Sequence, residues 1–193
     1  MTRFSLFFSF APVLLLAPSL ATAEPRYLPA IREELTKLGL HATCTAESPT
    51  RGRCHYTHVS ERAGTRFDVW IEYSDDSDTI YHYVNRYLLM PASSPRVDAV
   101  LRRLMNLNWS MLIGKFEWDA EDGEIRLSAI ENTDSNFDRR AFRSTLQAHH
   151  NLAERYHRDL DALIRGAAPP AAAAAPGRTA APAKAAPAKK AAP

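Results

Sequence analysis

Residues 65–73 read Thr-Arg-Phe-Asp-Val-Trp-Ile-Glu-Tyr and alternate without a break. Phe67, Val69, Ile71 and Tyr73 fall on one side of an extended chain, and Asp68, Trp70 and Glu72 on the other. A strand of this kind needs a core on one face and tolerates water on the other, as antiparallel sheets do. Its neighbours supply partners. "HATCTAESPTRGRCHYTHV", residues 41–59, sets two strand-like runs around a turn containing Pro and Gly, which reads as a hairpin. "TIYHYVNRYLLM", residues 79–90, is aromatic and β-branched, hence a further strand. Beyond it, "WSMLIGKFEW" and "GEIRLSAI" read as two strands turning at Asp122–Gly123.

Three segments carry helical spacing instead. Leu28–Leu38 has Pro29 in its first turn, a stripe of Ile31, Leu35 and Leu38, and Gly39 as its stop. A second helix begins after Ser94 as cap and Pro95, with Val97, Val100, Leu101, Leu104 and Leu107 as the buried face. The third runs from Phe137 to Ile164, capped by Asp134 or Ser135, with Phe142, Leu146, His149, Ala153, Tyr156, Leu160 and Leu163 on its apolar face. The predicted order is α-β-β-β(-β)-α-β-β-α. The expected fold class is α+β, one domain, with an antiparallel sheet packed against helices.

Both ends separate from this domain. Residues 1–23 have the pattern of an export signal: Arg3, an apolar run from Phe4 to Leu16, then Ala21 and Ala23 framing a cleavage site before Glu24. The run is short for a spanning helix and Pro12 and Pro18 interrupt it. No cysteine follows the cleavage point, and no later stretch is long enough to span a membrane. The expected location is therefore periplasmic or secreted. Residues 166–193 are nearly all Ala, Pro and Lys, with too little apolar surface to offset ordering, and disorder is expected there. The whole chain has 24 Lys and Arg against 22 Asp and Glu. Setting aside Arg3, Arg178, Lys184, Lys189 and Lys190 leaves residues 24–165 with 19 basic and 22 acidic side chains, net −3. Charge thus gives no support to nucleic-acid binding by the domain. The tail's four spread cations allow only weak, salt-sensitive contact with anionic polymers or lipids.

Three clusters invite a chemical reading. Glu117, Asp119, Glu121, Asp122 and Glu124 crowd one predicted hairpin. Alternation turns Phe116 and Trp118 to one face and Glu117 and Asp119 to the other, which leaves no desolvated carboxylate pair for acid–base work. Cys44 and Cys54 face each other across the first hairpin, and an oxidising compartment favours a disulfide between them. The rival is a metal site of Cys44, Cys54, His55 and His58, whose spacing is not a standard zinc pattern. His149 lies on an apolar stripe and reads as a core histidine. His150 and His157 each precede an acid by four residues, Glu154 and Asp161, and read as helix-surface pairs. No standard hydrolase, zinc-protease or phosphate-loop motif is present, so no catalytic residue, metal or cofactor is expected. Asn108–Ser110 matches a glycosylation acceptor but leads into a predicted buried strand.

The stretch "LRRLMNLNWSMLIGKFEWDAEDGEIRLSA", followed by a long helix with a late Tyr, resembles the YbjN-domain family. The resemblance covers Leu28 to Leu163 and is specific from Leu101 to Leu127. It implies a fold like that of class I type III secretion chaperones, a sensory-transduction-regulator label without a mechanism, and dimers built on sheet and helix faces. Tyr81, Tyr83 and Tyr87 read as an outward aromatic face that would serve such a contact. The expected function is a non-enzymatic envelope module that binds a protein partner or a second copy of itself. The alternatives are a metal-dependent or hydrolytic enzyme using the His and acid residues, and an envelope-polymer binder acting through the basic tail.

Overall fold

The computed structural model describes residues 23–134 and 136–167. The expected export signal before Ala23, Ser135, and the tail beyond Ala167 lie outside them. Three helices, α1 (Leu28–Lys37), α2 (Val97–Ser110) and α3 (Arg139–Arg165), accompany six strands. These are β1 (Thr43–Ser48), β2 (Arg51–Ser60), β3 (Thr65–Ser74), β4 (Thr79–Leu89), β5 (Lys115–Trp118) and β6 (Glu124–Asn132). The strands form one antiparallel sheet in the order β1-β2-β3-β4-β6-β5. The fold is the α+β single domain expected, with four strands before α2.

Alternation decides the faces. Phe67, Val69, Ile71 and Tyr73 of β3 are all buried. Their register partners Cys54 and Tyr56 of β2 and Ile80 and Val84 of β4 join the same core. Helix α1 seats Leu28 where Gly52 of β2 has no side chain, since a Cβ there would come within 2.5 Å of the leucine. Helix α3 meets the same face through Tyr56 and His150. The opposite face carries the row His55, Trp70, Tyr83, in which His55 packs on Trp70 and arginines lie over the Trp70 and Tyr83 rings. Arg53 lies 4.8 Å from the Trp70 ring and Arg126 4.6 Å from Tyr83.

Five local expectations are corrected. Leu38 is the cap residue past the end of α1 and is exposed, directly before the turn at Gly39 (φ 71°). Helix α2 starts at Val97, with Arg96 rather than Ser94 in the cap position. Helix α3 is capped by Asp138, whose carboxylate accepts from the Arg140 and Ala141 amides. Phe137 stays outside that helix and packs on Phe142, ring centroids 5.3 Å apart, as a hydrophobic staple. Tyr87 is not on the outward aromatic face. Val84 pairs with Leu127 and Leu88 with Ile125, so Asn85, Arg86 and Tyr87 bulge opposite Arg126, with Arg86 at φ 47°. The bulge turns Tyr87 inward, where its hydroxyl donates to the Ala153 carbonyl at 2.8 Å.

Candidate protein-contact face

The expected long strand from Trp109 is shorter in the structure. Trp109 and Ser110 complete α2, residues 111–114 form a loop, and β5 begins only at Lys115. Asn108 fixes this arrangement. Its side-chain amide donates to the Phe116 carbonyl, and its oxygen accepts from the Phe116 amide, so it pairs with β5 as a strand residue would. Val100, Leu104 and Leu107 face inward. The opposite side of the helix is then left with Met105 at 68% and Trp109 at 93% exposure. The loop adds Leu112, fully exposed, and Ile113. Beside them a groove of about 550 Å³ is lined by Asp98, Leu101, Arg102, Met105 and Asn106. Large apolar side chains exposed together on one helix end and its following loop make this a candidate interaction site, since a solvated helix face gains nothing from them.

The carboxylates of the β5–β6 hairpin do not converge on a reacting position. Phe116 is buried and Glu121 and Asp122 are exposed in the turn. Glu117 accepts from the Tyr81 hydroxyl at 2.6 Å and pairs with Lys115 at 2.7 Å. Its acidity is raised by those partners against the opposing effect of burial. Glu124 is more deeply placed than alternation suggests. It accepts from the Arg86 amide at 2.8 Å and pairs with Arg126 at 3.0 Å, so the bulge of β4 and this acid hold each other. Glu117 and Glu124 are therefore each occupied by structural partners, and Glu121 stands in water at the turn.

Strand register sets Cys44 opposite Cys54, and the two sulfurs are bonded. The alternative metal set does not assemble, because both sulfurs are committed and His55 lies on the sheet face opposite Cys54. His149 is buried and its Nε2 donates to the Leu127 carbonyl at 3.0 Å. His150 and His157 correct the sequence reading. His150 is buried against Tyr56, Nε2 to hydroxyl 2.6 Å, and Glu154 pairs instead with His58 of β2 at 2.9 Å. His157 sets its ring edge-on to Phe67 and Tyr87. Among the described residues, no three His, Cys, Asp or Glu side chains are placed to hold a metal ion, and no helix is long and apolar enough to cross a membrane.

No curated protein matches the chain. A solved structure titled "Structure of the HopA1-SchA Chaperone-Effector Complex" is similar at a TM-score of 0.46 and 8% identity, over 68% of this chain and 92% of that chain. Residues 30–162 match the model of the YbjN family, described as "Putative bacterial sensory transduction regulator". That match spans every helix and strand of the domain but the first two residues of α1 and the last three of α3, and on it the chain belongs to the YbjN family.

Proposed function

We propose that this chain is a non-enzymatic, protein-binding module of the cell envelope, and that it takes an apolar segment of a partner protein against α2 and the 111–114 loop. The observation that carries the reading is Trp109 and, three residues on, Leu112, both almost wholly in water, where the other large aromatic rings among the described residues are packed or half-packed. Tryptophan and methionine are enriched where one protein grips another. Arg102 and Asp98, on the same side of α2, supply a polar rim. The export pattern of residues 1–23 supports an envelope location. The structural partners of Glu117 and Glu124 and the packed histidines support binding rather than chemistry.

The test is crosslinking in cells followed by identification of the captured proteins, run on the native chain and on Trp109→Ser with Leu112→Ser. The variant should keep its denaturation midpoint, since neither side chain is buried, and should lose the captured partner. Retention of the same partner at the same yield would move the contact elsewhere. Light scattering of both chains adds the other occupant of this face, a second copy: a concentration-dependent dimer lost in the variant identifies it.

A further inference from the structure

Five of the seven histidines lie between the sheet and α3. His58 of β2 and His150 of α3 stack with ring centroids 4.0 Å apart and planes 7° from parallel. One helical position away, His149 lies 6.4 Å from His82 of β4, ring to ring. Two turns on, His157 meets Phe67 and Tyr87. A helix laid on a sheet through so many imidazoles is held by packing only while they carry no charge.

The acids are distributed unequally among them. On the sheet side, His58 Nε2 is 2.9 Å from Glu154, and His82 Nε2 is 3.2 Å from Glu131 of β6. Each sheet histidine thus has a carboxylate oxygen nearby, hydrogen-bonded at His58 and close but not aligned for a hydrogen bond at His82. The α3 histidines have no such partner. Around His150 stand the Tyr56 hydroxyl and the His58 ring; around His149 stand the Leu127 carbonyl, His82 and His58. His157 has Arg158 and Arg165 of its own helix for charged neighbours. The Nδ1 atoms of His149 and His157, like both ring nitrogens of His82, are buried with no hydrogen-bond partner, so a proton added at either helix histidine's Nδ1 has no acceptor. A charge on His150 would stand face to face with the His58 ring, centroids 4.0 Å apart, rather than against a carboxylate.

We propose that the α3–sheet interface is an acid-released latch, which holds the His149–His157 stretch of α3 on the sheet while its imidazoles are neutral and frees it when they take up protons. Burial, then the neighbouring histidines, holds His150 down to about 3, and burial holds His149 down to about 4. Burial also lowers His157. Both the direction and the window follow. An unfolded or released histidine takes its proton near pH 6.5. The hold is therefore complete above that pH and is lost as pH falls from there toward 4 and 3. Freed α3 would uncover Phe67, Tyr87 and Leu127, an apolar face separate from that of α2. The latch does not depend on what α2 binds.

The experiment is amide hydrogen exchange, corrected for intrinsic rates, on the full disulfide-bonded chain between pH 7.5 and 4. Peptides from residues 146–160 should lose protection on the order of 10-fold or more as pH falls through about 5, with β2 and β3 still protected. In His150→Phe, which keeps a ring against His58 and cannot be charged, the loss should move about 0.5–1 pH unit lower. Simultaneous loss of protection in α3 and in β2–β3 would overturn the latch, leaving ordinary acid unfolding. An unchanged release pH in a folded His150→Phe chain would overturn it as well. If that variant does not fold at pH 7.5, the order of loss in the native chain decides alone.

Discussion

Glu34 of α1 and Arg139 of α3 meet at 2.7 Å across 105 positions of sequence, and the glutamate is 1% exposed. Arg143 binds the other carboxylate oxygen, and Lys37 lies 3.3 Å from the first. The carboxylate is the buried charge that ties the first helix to the last, beside a more exposed pair of Glu33 with Arg139 at 2.8 Å. Hydrogen bonds from Arg139 and then Arg143 hold its pKa at about 2, against an ordinary 4.5. A depressed acid contributes stability above its unfolded value, and that contribution fades as pH falls through the folded one. Glu34→Gln should therefore unfold at lower denaturant than the native chain at pH 7, and the gap should close between about pH 4.5 and 2. A gap independent of pH would mean that packing, not charge, holds α1.

In the β5–β6 hairpin the apolar and acidic residues should separate cleanly under denaturant. Phe116 packs on Tyr87 and Tyr156, so Phe116→Ala should cost about 3–5 kcal/mol. Glu121→Gln and Asp122→Asn, both exposed, should each stay within about 0.5 kcal/mol. Glu124→Ala should cost about 1–3 kcal/mol, because it strands the Arg86 amide inside the bulge. Equal effects at Glu121 and Glu124 would show that the bulge does not depend on that acid.

Cys44 and Cys54 close a loop of sequence separation 10. On the chain-entropy account that bond contributes about 2–3 kcal/mol. Thiol alkylation without reductant should label neither cysteine, and reduction should lower the denaturation midpoint accordingly. Labelling of both in unreduced, exported protein would reopen the metal alternative.

The exported chain should begin at Glu24, since Ala21 and Ala23 frame the cleavage site. N-terminal sequencing of material recovered from the envelope checks this directly. A sequence still starting at Met1 would remove the envelope location from the proposed function.

Regular elements were legible because one rule governs them. The alternation of 65–73 places every β3 side chain on its observed face, and Cys44 meets Cys54 because a short turn leaves their hairpin little choice of register. What was hidden depends on contacts between distant segments. Nothing local says that Arg86 adopts φ 47°, so Tyr87 is read on the wrong face. His150 looks like a surface residue beside Glu154 until β2 supplies Tyr56 and His58. Trp109 looks like a strand residue because only Asn108, bonding to Phe116, reveals that the helix continues. The capping aspartate was within reach: Phe137 and Phe142 have staple spacing, which places the cap at Asp138.

The strand order also sets a timetable. β1 through β4 pair with their neighbours in sequence, whereas the other edge of β4 pairs with β6, beyond α2 and β5. A chain emerging amino end first can close the cysteine hairpin and the meander up to Leu89 while Glu124–Asn132 has yet to appear. During that interval β4 offers an unpaired backbone rich in aromatic and aliphatic side chains. The hazardous period in this protein's life is thus the wait for β6, and a helper acting on the nascent chain would be needed there rather than at the finished fold.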